Sequence, residues 1–470
     1  MAARDQFNSR LGFILASAGS AVGLGNIWKF PFEVGAGGGA AFVFIYLIFA
    51  FVLCFPIMVA EIAIGRKTRL NPVGAFKALG HKRWAIVGYM GVAAGFLILS
   101  FYNVVAAWAF GYFVQMVMGN FNIGEQFGSF TQDWVTVGSY AIVFMSVTAF
   151  VVSKGVSHGI EKAAKILMPT LLLFVIALVI YALTLPHAME GVKYYLTPDF
   201  SKVTGEVIYK ALGQAFFSLS LGMGALITYG SYVSRETNIV SAAATITLVD
   251  VSVAFLAGLM MFPFVSYMTG GDLIAMKEVS GGAGFIFITL PGVFETLGST
   301  LGMVVGAGFF LLLSFAALTS TISLLEVPVA YMVDEKKIER SKSTWIVAGL
   351  IFLIGIPSML STGAVDFFTQ FITLPGMDKS IDFMGFVGLI ANDTFLPLGG
   401  FLISVFTAYV WKKHNFNKEL AVGDEEIAGS ILQLYVDIAI SYICPVILGA
   451  ITIVTILKTY AGIDLMGMFL

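Results

Sequence analysis

Gly19-Ser20-Ala21-Val22-Gly23-Leu24-Gly25-Asn26 interrupts an apolar stretch over 11–34, and Ser218-Leu219-Ser220-Leu221-Gly222-Met223-Gly224 interrupts another over 206–233. Each places glycines and hydroxyls where a lipid-spanning helix would carry unbroken Leu, Ile and Phe. In hydrocarbon a freed N–H or C=O has no water to turn to, so a break survives only where something polar fills it. Gly19 and Gly23 alone would read as a G-x-x-x-G packing motif. Two breaks, with Asn26 beside the first, point instead to a site shared between two halves of a chain.

The surrounding sequence supports a bilayer setting. Of 470 residues, 58% are hydrophobic and 11% charged, with mean hydropathy +0.92. Soluble domains carry about 25% charged residues. Crossing the hydrocarbon takes roughly 20 apolar residues, and the apolar runs show no period-two alternation, which argues against a barrel. Eleven spans are predicted, at 11–34, 39–65, 84–116, 136–153, 160–186, 206–233, 239–268, 300–333, 344–361, 383–411 and 430–458. The 66–83 loop (Arg66, Lys67, Arg69, Lys77, Lys82, Arg83) and the 334–343 loop (Lys336, Lys337, Arg340, Lys342) are basic. The 117–135 loop has no Lys or Arg, and the 362–382 loop has only Lys379. The chain is therefore expected in the cell membrane with its N-terminus cytoplasmic and, eleven being odd, its C-terminus outside. Arg4 and Arg10 lead straight into the first span, which is expected to be retained.

Spans 1–5 and 6–10 place the two breaks in corresponding positions, and five is odd, so the halves enter from opposite faces. The expectation is one all-α transmembrane domain over 1–470. It would be a 5+5 inverted repeat (about 8–186 and about 206–412) with an extra helix at about 430–458. Net charge −2 and the absence of a basic block speak against nucleic acid. Cys54 and Cys444 read as small core residues, the four histidines lack metal-ligand spacing, and neither a phosphate loop nor a nucleophile–base set suggests ATP use or an enzyme.

The run from Arg4 and Arg10-Leu11-Gly12-Phe13 through Gly23-Leu24-Gly25-Asn26-Ile27-Trp28-Lys29-Phe30-Pro31 to Gly37-Gly38-Gly39-Ala40-Ala41-Phe42 closely resembles the opening of neurotransmitter:sodium symporters. So do Phe217 to Gly224 with Ser231-Tyr232, and Leu318-Thr319-Ser320 before Asp334-Glu335. The resemblance covers about 10–412, and the missing twelfth span and short second outer loop look like a bacterial member on the leucine-transporter fold. It implies symport of sodium, one or two ions, with a neutral, hydrophobic amino acid by alternating access.

By the same resemblance, a first sodium site would use the Ala21 carbonyl, Asn26, Ser218 and Asp250. A second would use the Gly19, Val22 and Ala316 carbonyls with the Thr319 and Ser320 hydroxyls. Oxygen donors of this kind suit a hard cation. Asp250 stands where relatives often carry Asn and draw on chloride, so chloride-independent transport is expected. Leu24, Gly25 and Tyr102 would hold the substrate carboxylate, and Ala21, Phe217, Ser218 and Ser220 its ammonium. Gly23 replaces the Asp of monoamine carriers, and Ser20, Ile98, Phe217, Met223, Ala317, Ser320 and Leu324 would line the side-chain pocket.

Gates would be Lys29 with Asp382 outside, and Arg4 with Asp334, buttressed by Ser231 and Tyr232, inside. Phe7 takes the place of a usual Trp. Gly159 and Pro169, with nine residues between them, would let span 5 unwind to release the second sodium. A proton-coupled carrier on this fold, a channel and an amino-acid sensor are the alternatives. The hydroxyls Thr319 and Ser320 disfavour the first, and paired gates the second.

Overall fold

The computed structural model describes residues 5–272, 276, 285–377 and 379–463. Arg4, expected at the inner gate, lies outside them. Among the described residues the chain is helical throughout, apart from a single antiparallel bridge between Ile372 and Ile381. Among the described residues nine helices are long and apolar enough to cross a bilayer: α3 Ala40–Thr68, α4 Lys82–Val117, α5 Trp134–Ser153, α6 Val156–Leu183, α9 Ile239–Met268, α10 Ser299–Lys336, α11 Arg340–Leu360, α12 Phe383–Val410 and α13 Ile431–Ala461. A tenth span is a bent pair, α1 Arg10–Ala21 and α2 Gly25–Ala36, meeting at 48°. The stretch expected at 206–233 forms two shorter helices, α7 Gly205–Ser218 and α8 Ala225–Gly230. Neither is long enough to cross, so the helices give ten spans by length where eleven were expected.

Local chemistry sets these boundaries. Ser9, Asp133, Thr204, Asn238 and Ser430 cap the N-termini of α1, α5, α7, α9 and α13, each side-chain oxygen accepting an N–H from the first turn. Proline opens the helix at Pro72–Ala78, where its missing N–H is no loss.

The outward surface is apolar: Ile86, Leu173, Ile180, Val304, Tyr442 and Val446 are each more than half exposed. This is the pattern of a lipid-facing wall, in which apolar side chains need no protein cover. Polar and small residues collect inside instead, including Asn26, Glu61, Gln214, Ser218, Thr319 and Asp250, all buried. The long helix α10 runs beside α4, and α1 packs on α6, α9 and α10. The first broken segment is thereby packed on α6, α9 and α10, and the second chiefly on α3.

Candidate functional site: a central cavity between two broken helices

The two breaks differ in backbone and share one cavity. At 22–24 the chain leaves α1 with Val22 extended (φ −74°, ψ 105°), its N–H still bonded to the Ala18 carbonyl. At 219–224 three residues take left-handed φ: Ser220 (54°), Gly222 (77°) and Gly224 (76°). Glycine accepts that conformation freely and serine does not. Ser220 is held there by its hydroxyl donating to the Ser20 carbonyl at 2.8 Å, which ties the second break to the first.

Between them lies a small cavity lined by Ser20, Ala21, Gly25, Ile98, Tyr102, Phe217, Ser220, Met223, Ser320 and Leu324, all among the expected substrate residues, and by Gly23. Three other expected residues stand back from it. Leu24 is buried, but its amide donates to the Tyr102 hydroxyl at 2.9 Å, so that amide and that hydroxyl meet at the cavity's edge. Ser218 joins the polar cluster described next, and Ala317 is buried in α10. A methyl group on Gly23 would lie 2.2 Å from Ser320 Oγ and 2.8 Å from the Tyr102 hydroxyl. Any side chain there would fill that end of the cavity.

Beside the cavity, Asn26, Ser218 and Asp250 form a closed network. Asn26 Nδ2 donates to Asp250 Oδ1 (2.7 Å) and Ser218 Oγ (3.0 Å), and Ser218 Oγ donates to both Asp250 oxygens at 3.0 Å. Asn26 Oδ1 accepts the Gly23 N–H, giving the first break its missing partner. On the other flank, Thr319 Oγ1 lies 3.2 Å from the Val22 carbonyl and 3.0 Å from that of Ala316, with Gly19 packed on the Thr319 side chain. Ser320 turns toward the Ser20 carbonyl, at 3.4 Å, and into the cavity. Two oxygen-rich clusters thus flank one small cavity.

Of the gate residues, Lys29 and Asp382 are not brought together. Lys29 Nζ sits 4.8 Å above the Phe217 ring, and Asp382 Oδ1 caps α12 by accepting the Gly385 N–H at 2.6 Å. The reason is local: a carboxylate at a helix N-terminus satisfies an orphan N–H. At the face bearing the N-terminal segment, Asp334 accepts from the Asn71 backbone (2.8 Å), Ser231 Oγ donates to the Thr228 carbonyl, and the Tyr232 hydroxyl donates to Glu326 (2.6 Å). Phe7 packs on Phe13, Tyr229 and Tyr232 with ring centroids 5.7–6.3 Å apart, and its N–H bonds the Tyr232 carbonyl. Pro169 lies inside α6, and Gly159 in the wide turn that begins it. Cys54 and Cys444 are free and buried.

Several residues were missed. Tyr46 donates to Asp250 Oδ2 at 3.1 Å, and Gln214 to the Gly25 carbonyl at 2.8 Å. Glu61, fully buried in α3, accepts the Gly222 N–H at 2.8 Å. Glu326 is buried and forks with Arg340. For Glu61 and Glu326 the signal was available, since an acid inside an apolar run is costly and usually functional. For Tyr46 and Gln214 sequence offered none.

A profile of the Sodium:neurotransmitter symporter family matches residues 4–136 and 127–465. An uncharacterized sodium-dependent transporter of Bacillus subtilis is 39% identical over 427 residues, covering 89% of this chain and 90% of the relative. One from Haemophilus influenzae is 36% identical over 378 residues, covering 76% and 80%. The crystal structure of MhsT in complex with L-phenylalanine superposes with a TM-score of 0.86 at 40% identity, covering 96% of this chain and 99% of MhsT.

Proposed function

The chain belongs to the Sodium:neurotransmitter symporter family, and on that premise we propose that it carries a neutral, apolar amino acid into the cell together with sodium. It is a sodium-dependent secondary transporter in the membrane and not an enzyme. One observation carries the cargo assignment: Leu24 N–H and the Tyr102 hydroxyl converge at 2.9 Å on the end of the cavity that Gly23 leaves open. A carboxylate entering there accepts from both, helped by the positive end of α2. The Ser20 carbonyl, Ser220 hydroxyl and Ala21 carbonyl suit an ammonium, and Ile98, Met223 and Leu324 offer the side chain no charge. The phenylalanine bound to MhsT is the same class of molecule.

Sodium belongs on either side of the first break. One ion would take the Ala21 carbonyl, Ser218, Asp250 and, with its amide turned over, the Asn26 oxygen. A second would take the Gly19, Val22 and Ala316 carbonyls with Thr319 and Ser320. With Asp250 supplying a fixed negative charge, the first site needs no chloride. The substrate carboxylate beside it completes the site, so ion and cargo bind best together. Coupling requires that sodium prefer one conformation, and it can shift the equilibrium only by that preference. The basic loops favour a cytoplasmic N-terminal face. There Phe7, the Glu326–Arg340 fork, Asp334 and the Ser231–Tyr232 turn seal the inner route. Gly159 and Pro169 weaken α6 where the second ion would leave.

Purified protein in liposomes under an imposed sodium gradient should accumulate neutral apolar members of a panel of the twenty amino acids, with and without chloride. Uptake confined to Glu, Asp or Lys, or uptake driven equally by a proton gradient, would refute the cargo or the coupling. Loss of uptake on chloride removal would refute the role given to Asp250.

A further inference from the structure

The N-terminal segment and the start of α6 hold each other through two carboxylates. α6 opens with the π-turn Val156–Ile160, entered from Gly155 in a left-handed conformation (φ 91°). The first amides of a helix have no carbonyl within it to bond. Asp5 meets one of them from across the fold, its Oδ2 accepting the Val156 N–H at 2.6 Å. Glu161, just past the π-turn and buried, reaches back the other way. Its Oε2 accepts the Asn8 N–H at 2.7 Å, and its Oε1 accepts the Ser9 hydroxyl at 3.0 Å. Ser9 is itself the cap of α1, its oxygen accepting the Gly12 N–H at 3.0 Å. Lys165, one turn farther along α6, holds Glu161 Oε1 at 2.6 Å. The approach is so close that a methyl group on Gly12 would lie 2.1 Å from that oxygen.

Together with the inner seal these bonds close a ring. The Phe7 N–H bonds the Tyr232 carbonyl, the Tyr232 hydroxyl bonds Glu326, and Glu326 forks with Arg340. Arg340 Nε donates to the Val152 carbonyl at 3.0 Å, and Asp5 on Val156 leads back to Phe7. We propose that Asp5 and Glu161 are positioning residues of the inner gate, fastening the N-terminal segment to the first turns of α6 so that the two let go together. This rests on the symporter reading above, in which α6 is weakened between Gly159 and Pro169, a stretch that contains Glu161. Lifting the segment strands the Val156 amide and takes two donors from a buried carboxylate, and both losses oppose opening. Unwinding α6 carries Glu161 away from the cap of α1. Each motion therefore removes the support of the other.

Hydrogen exchange in the full-length, sodium-bound protein tests the linkage. Asp5 is exposed, so Asp5→Ala leaves the packed interior intact. It should raise exchange at least fivefold in 156–164 as well as in 6–14, and speed dissociation of radioactive sodium at least threefold. Asp5→Asn keeps an acceptor and should stay near the parent. Glu161→Ala should loosen the same two segments from the opposite side; if it does not fold, Asp5→Ala decides alone. Exchange raised by Asp5→Ala in 6–14 only, or in neither segment, overturns the proposal. An equal rise across α9 would mark a general loosening and overturn it as well. Exchange needs no knowledge of the cargo. A parent that accumulates no amino acid in liposomes would therefore defeat the cargo assignment while the linkage was still read.

Discussion

The break in the first membrane segment is short and is met by side chains at the cavity rim, while the break at 219–224 is longer and is held from α1 and α3. At 22–24 the freed groups are met by Asn26, Tyr102 and Thr319, all at the rim of the cavity or of the flanking oxygen clusters. At 219–224 the three left-handed residues are held by the Ser20 carbonyl on one side and by Glu61, buried behind the break, on the other. Backbone polarity in lipid is a debt that must be met locally. On the proposed function, the first break meets it with groups that an ion or a substrate carboxylate would replace, and the second with the buried Glu61 carboxyl group. The first is then expected to respond to ligands and the second to stay open whether or not they are bound.

The largest effect should come from Asp250→Ala. Removing the one charge in the network with Asn26 and Ser218 should abolish sodium-driven uptake and reduce the gain in thermal stability that sodium gives, leaving the part owed to the second site. An undiminished sodium stabilisation would remove the ion from that cluster. Glu61→Ala comes next and should act differently. It strands the Gly222 N–H, a loss of about 1–3 kcal/mol, and should lower the melting temperature by the same amount with and without sodium. Glu61→Gln, which keeps an acceptor, should lose less. A Glu61→Ala penalty that disappears on adding sodium would erase the distinction between the two breaks. Tyr102→Phe is the mildest. Losing one hydrogen bond to a charged group, about 1.5–3 kcal/mol, should weaken apparent substrate affinity roughly tenfold or somewhat more, with sodium stabilisation unchanged. Unaltered affinity in uptake measurements would move the carboxylate elsewhere.

The positions of both breaks were legible in the sequence because they follow from residue type. Glycines and hydroxyls inside apolar runs mark where a helix cannot continue, and the described helices stop at Ala21 and Ser218 and restart at Gly25 and Ala225. The span count was less secure, since the halves of a broken span are individually too short to cross. Partners were the least legible. Asp250 was named through the resemblance, whereas Glu61, an acid inside an apolar run, went unnoticed, because nothing local says that α3 passes behind residue 222. Tyr46 reaches Asp250 across 204 positions of sequence.

Sequence alone therefore determined that this chain crosses a bilayer many times, that two segments break within it, and which polar residues are available at the breaks. All of that depends on the mismatch between local residue chemistry and hydrocarbon. Tertiary structure decided which of those residues meet: Lys29 over Phe217, Asp382 spent on a helix cap, Tyr46 on Asp250, Glu61 on Gly222. Helical periodicity gives each residue a face, but which faces oppose one another is fixed only when the helices pack.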